Sequence, residues 1–138
     1  GGADLSAYAL GGVEGTLTAA ANTPITFPTC AAQPTASVTQ SAGTFTLVTP
    51  GTYLVTAVIN PPTGSAVNAD AVLRSNGTAI SSTQTHIDNN DNAASYMLQT
   101  LVTSTGATTV SLTASTALAL TGTTAEDVLA SITFLRIG

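Results

Sequence analysis

Positive charge is almost missing from this sequence: Arg74 and Arg136 are the only basic residues among 138, set against seven acidic ones. A nucleic-acid surface needs several clustered cations to neutralise phosphates, and anionic lipid headgroups ask for the same, so the sequence excludes both as partners. Charged residues of either sign make up 7%, where a globular domain usually carries about a quarter. The exterior must therefore be a coat of Thr and Ser hydroxyls. Part of the apolar surface must be hidden by association, and the sequence predicts an oligomer.

Other absences narrow the chemistry. Cys30 is the one cysteine, which rules out an internal disulfide; it reads as a small half-buried apolar residue rather than an intersubunit bridge or reactive thiol. His86 is the one histidine, so neither a His-based metal cluster nor a paired-histidine mechanism can be built. A Ser-His-Asp grouping could be drawn from His86, Asp88 and a serine, but no Gly-x-Ser-x-Gly elbow accompanies it, and the chain is not expected to be an enzyme. Aromatics are 4% of residues, with no Trp. Tyr8, Tyr53 and Tyr96 read as core or axis residues needing a hydroxyl partner rather than as sugar-stacking platforms. No apolar run approaches membrane-spanning length. The start lacks a charged segment followed by an apolar one, so an export signal lies upstream or is absent. No window holds a 3.6-residue apolar period, and there is no internal repeat.

What is present is alternation. In residues 44–60, two β-rich runs flank Pro50-Gly51, where Pro presets φ and Gly takes positive φ, and this predicts a hairpin. After the turn Tyr53, Val55, Ala57 and Ile59 point one way, and Leu54, Thr56 and Val58 the other. Neither face is polar, so this strand is covered on both sides, by the core and by a second subunit. Two more strands share the property. In residues 95–103, Tyr96, Leu98 and Val102 oppose Met97 and Leu101, with Gln99 the only amide; in residues 128–137, Leu129, Ser131, Thr133, Leu135 and Ile137 oppose Val128, Ala130, Ile132 and Phe134.

Elsewhere Tyr8-Ala9-Leu10 is a short strand stopped by Gly11-Gly12, and Pro24 and Pro28 make residues 17–27 an edge strand or extended arm. Residues 67–74 form a strand that turns at Asn76-Gly77, the strongest short hairpin signal in the chain. That turn already explains the Asn76-Gly77-Thr78 glycosylation pattern. Residues 81–92 are expected to be a polar loop, and residues 108–115 a half-solvated outer strand with Thr109, Ser111 and Thr113 facing water. About ten short strands with regular turn signals indicate an all-β sandwich or barrel.

The aromatic strand, Pro/Gly turn and Gly-Thr-Tyr-Leu-Val strand of residues 45–58, then Val72-Leu73-Arg74-Ser75-Asn76-Gly77, then Ala130-Ser131-Ile132-Thr133-Phe134-Leu135, together resemble the globular heads of the complement and tumour-necrosis-factor superfamily. The closer likeness is to the C-terminal head of bacterial collagen-like exosporium glycoproteins. There an opening pair like Tyr8-Ala9 and an arm like the one ending in Pro24 and Phe27 occur in the same order. The likeness spans nearly the whole chain, on short and mostly structural motifs.

This resemblance implies a ten-stranded jelly-roll sandwich of two antiparallel sheets, tumour-necrosis-factor-like and homotrimeric, with inner sheets meeting on a threefold axis. Residues 1–6 would be a stalk or linker remnant and residues 7–138 the head. Together with the doubly apolar strands, it places Tyr8, Tyr53, Val55, Tyr96, Leu98, Leu101, Phe134 and Leu135 at the trimer contact. Some complement-type heads hold calcium near the apex, which makes Asp88 and Asp91 the candidate ligands. A solvated Asx-rich turn without any cofactor is the favoured reading. The implied function is a trimerising head above a collagen-like stalk on an extracellular spore or cell surface, presenting an adhesive face to a protein or glycan receptor. The alternative is the receptor-binding tip of a phage fibre on a virion surface, or a cytokine-like ligand.

Overall fold

Branched and aromatic residues at alternate positions form strands wherever a turn residue interrupts them. The computed structural model describes the backbone of residues 8–27, 29–33, 37–124 and 127–138, and the side chains of 15–27, 37–124 and 127–138. In chain order the strands are β1 (Tyr8–Glu14), β2 (Thr16–Ala19), β3 (Thr29–Gln33), β4 (Val38–Ser41), β5 (Thr44–Leu47) and β6 (Gly51–Ile59). There follow β7 (Ala66–Ser75), β8 (Thr78–Ala79), β9 (Thr85–Asn90), β10 (Tyr96–Ser104), β11 (Thr108–Ala114), β12 (Leu118–Thr121) and β13 (Val128–Arg136). A 3-10 turn, Ser81–Thr83, precedes β9.

Two antiparallel sheets pack face to face. The first runs β10-β6-β13-β1-β3; the second runs β4-β5-β11-β7-β8, with β9 also paired to β7. A ribbon of β2 and β12 stands beside them. This is the expected all-β jelly roll, with short pieces such as β8 and the ribbon raising the strand count. β13 lies at the centre of the first sheet, flanked by β6 and β1.

The core is the space between the sheets. Tyr53, Val55, Ala57 and Ile59 of β6 and Ala130, Ile132 and Phe134 of β13 face Phe45, Leu47, Leu73, Val110 and Leu112 of the second sheet, all nearly without exposure. Three rings bridge the layers: Phe45 sits 5.7 Å from Phe27 and 4.7 Å from Phe134, both tilted. Such pairs add to area burial because ring edges meet ring faces. The Tyr53 hydroxyl, carried into the core, donates to the Thr49 carbonyl at 2.6 Å. Among the described residues no helix is long and apolar enough to cross a membrane.

Four local expectations are corrected. Pro50-Gly51 does not close a hairpin: β5 joins the second sheet and β6 the first, so the chain crosses between layers there. Gly51 instead admits a close backbone approach, since a Cβ would lie 2.4 Å from the Gly138 carbonyl oxygen. Gly11 and Gly12 do not stop β1, because both are paired with β13 on one side and β3 on the other. Residues 85–90 are strand β9 rather than loop; Ile87 and Asn89 point inward while His86, Asp88 and Asn90 are exposed. Finally, the outward face of β11 is not half-solvated: Thr109 is partly open, but Ser111 and Thr113 are nearly buried. The arm before Phe27 lies along the strand's edge, with the Asn22 and Ile25 amides donating to the Ala114 and Leu112 carbonyls at 2.7 and 2.8 Å. Arg74 lies against Thr113, Nε donating to its hydroxyl at 3.0 Å.

The Asn76-Gly77 turn is as expected, with φ of 52° and 80° at its two central residues and Ser75 paired with Thr78. Residues 17–27 are partly strand β2 and partly the arm. The expectations resting on residues 1–6, on Pro28 and on the side chains of Tyr8 and Cys30 lie outside the described residues.

Candidate interaction faces

The outward face of the first sheet is built by the alternate residues that do not enter the core. Register aligns them in rows across three strands. Leu101 stands beside Leu54 and Leu54 beside Leu135; Gln99 beside Thr56 and Thr56 beside Thr133; Met97 beside Val58 and Val58 beside Ser131. None of these positions carries a charge. Met97 is 60% and Leu101 59% exposed, whereas a β-sheet facing water alone would place polar side chains there. In the middle row Gln99 Nε2 donates to the Thr56 hydroxyl at 3.0 Å, so part of the polar surface is already paired within the chain.

Of the residues expected at a trimer contact, Leu101 and Leu135 lie on this face. Tyr53, Val55, Leu98 and Phe134 do not: each is at most 2% exposed inside a single chain, so they belong to the core. Tyr96 is half-buried against that core and donates weakly to the Asp88 carbonyl at 3.4 Å. The backbone of Tyr8 pairs with Leu135. Met97, Leu54 and Val58, not among the residues expected at a contact, lie on the same face. Their alternation was visible, but a strand apolar on both sides carries no polar parity to show which side meets its own core.

The acidic and imidazole groups are dispersed. Asp88 is exposed on β9 opposite Asn68. Asp91 turns the chain with φ of 67°, its amide donating to the Ser65 carbonyl at 2.8 Å. Among the described residues no three His, Cys, Asp or Glu side chains gather as a metal site. His86 Nδ1 lies 2.8 Å from Asp70 Oδ1, not beside Asp88, and both side chains are well exposed. Such a pair contributes little to stability.

Asp127 organises the loop before β13. Its Oδ2 accepts from the Thr123 amide at 2.7 Å and the Thr123 hydroxyl at 2.9 Å, and its Oδ1 accepts from the Thr124 hydroxyl at 3.1 Å. The Thr123 side-chain hydrogen bond and then the two backbone amides hold its pKa below the usual carboxylate value. A carboxylate with a depressed folded pKa stabilises the fold fully above the unfolded value of about 3.9, and that stabilisation is lost as pH falls through the lower folded value. Asp127→Asn is therefore expected to lower the melting temperature at pH 7 and to flatten its fall as pH drops below about 4. Parallel melting curves for both proteins across that range would remove Asp127 from the account.

No family model matches the sequence, and no curated protein matches it. Solved structures do. The fold is similar to murine APRIL, with a TM-score of 0.64 at 11% identity over 96% of this chain and 98% of that one. It is similar to the Eiger TNF of S. frugiperda, with a TM-score of 0.65 at 13% identity over 96% and 92%. It is also similar to the globular domain of zebrafish complement 1qA, at 0.57 and 16% identity over 91% and 98%. At such identities the likeness is one of fold, and the chain has the jelly roll of tumour-necrosis-factor-like and complement-type heads.

Proposed function

We propose that this chain is a trimerising recognition head: three copies bury the outward face of the first sheet against one another around an axis and present their loops and second sheets outward. One observation carries the reading, the uncharged outward face on which Leu101, Leu54 and Leu135 form a continuous apolar row. Burying it gains roughly 25 cal/mol per Å² of apolar area. The Gln99 and Thr56 pairing lowers the cost of taking polar groups out of water. A weakly charged, hydroxyl-rich exterior suits an extracellular setting. The resemblance in sequence favours the head of a collagen-like filament on a spore or cell surface.

The mass decides the assembly. Sedimentation equilibrium at micromolar concentration is expected to return three times the chain mass of 13.6 kDa; a monomer would overturn the reading. A receptor-binding fibre tip or cytokine-like ligand is the second reading, favoured by the likeness to Eiger TNF. Gly-X-Y repeats preceding Gly1 in the full-length protein would decide for the filament.

A further inference from the structure

On the outward face of the second sheet, β5, β7, β11 and the arm line a groove of about 480 Å³, within the range of small-molecule sites. Asn22, Thr44, Thr109, Ser111 and Thr113 line it with amide and hydroxyl groups, and Arg74 supplies its one charge. The guanidinium is fixed from two sides. Nε donates to the Thr113 hydroxyl at 3.0 Å and Nη1 to the Gly77 carbonyl at 3.2 Å. Of the five N–H donors of an arginine, the other three, including both on Nη2, make no hydrogen bond to a described residue. No carboxylate among the described residues pairs with Arg74. The hydroxyls of Thr44 and Ser111 are likewise without a described partner.

A rigidly held cation with open donors, in a chain of formal net charge −5, is a site for a single negative group. A carboxylate fits the planar fork by taking two parallel N–H bonds. Polyanions are disfavoured by the surrounding negative charge, and one guanidinium does not match the charge of a phosphate. The hydroxyls beside Arg74 both donate and accept, which matches a polyhydroxylated ligand rather than an apolar one. The geometry points to an acidic sugar, a uronic or sialic acid unit, bound with its carboxylate on Arg74 and its ring hydroxyls on Ser111, Thr44 and Thr109. The groove lies on the sheet opposite the apolar face, so this binding does not depend on assembly.

The test is calorimetric or NMR titration of the full chain with glucuronic acid and with N-acetylneuraminic acid, using glucose and sodium sulfate as comparators. At least one acidic sugar is expected to bind in the millimolar range while glucose does not. Arg74→Gln abolishes that binding. Arg74→Lys keeps the charge and loses the fork, weakening binding by about tenfold; Ser111→Ala weakens it several-fold. Unchanged melting curves for Arg74→Lys and Ser111→Ala separate lost contacts from lost folding. The proposal is overturned if neither acidic sugar binds, if the Arg74 variants bind as the parent does, or if sulfate binds as tightly as the acidic sugars.

Discussion

Leu101→Lys is expected to turn the proposed trimer into a folded monomer at micromolar concentration. Leu101 is 59% exposed within one chain, so a lysine there is solvated in the monomer and leaves the core untouched. In such a trimer the same ammonium would enter an apolar contact with no acidic partner among the described residues of the face. An unpaired charge taken out of water costs several kcal/mol, and a threefold assembly would incur the cost in every copy. Lysine at Thr39, exposed on β4 in the opposite sheet, is the control and should leave the mass unchanged. The measurement is sedimentation equilibrium together with the circular dichroism spectrum. A trimeric Leu101→Lys would strike Leu101 from the contact, and an unfolded one would show that the chain cannot stand alone.

Phe134→Ala is expected to have the largest effect on folding. The ring is fully buried and meets Phe45 at 4.7 Å, joining the middle strand of one sheet to the other. Truncating a buried phenylalanine typically costs about 3–5 kcal/mol, because the cavity does not fully collapse, against a total stability of about 5–15 kcal/mol for a domain. The urea midpoint should fall steeply, and Phe134→Leu should fall much less since most of the volume remains. Both must be compared at one protein concentration, because assembly adds to apparent stability. A loss below about 1 kcal/mol for the alanine variant would contradict the ring's place between the layers.

The all-β class and strands β6, β10 and β13 were legible because branched and aromatic residues recur there at alternate positions, and Asn76-Gly77 marked its turn through the backbone conformation it requires; β3, Thr-Cys-Ala-Ala-Gln, carries no such signal. Pro50-Gly51 misled because a local turn signal cannot say whether the chain returns to the same sheet or crosses to the other. β9 was hidden by composition: Ile87 is its one apolar residue, and the other inward position is Asn89, whose amide donates to the Ser65 carbonyl at 3.3 Å. β11 looked half-solvated because threonines usually face water; here Arg74 lies against Thr113, and the arm, distant in sequence, pairs along the strand's edge. The outward face proposed as the contact was half legible. Tyr53, Val55, Leu98 and Phe134 were assigned to it because both sides of their strands are apolar, and only the second sheet's position identifies the inner side.

The seat of β13 between β6 and β1 has a consequence for synthesis. Of the strands named here the ribosome makes this one last, yet β6 and β1, which pair with β10 and β3 on their other edges, must each wait for it to fill the edge between them. Nascent chains would emerge with β1 and β6 holding unclaimed amide and carbonyl edges, a state prone to pairing with neighbours. Closure of the sheet is thus a late, long-range event, the kind that makes folding slow.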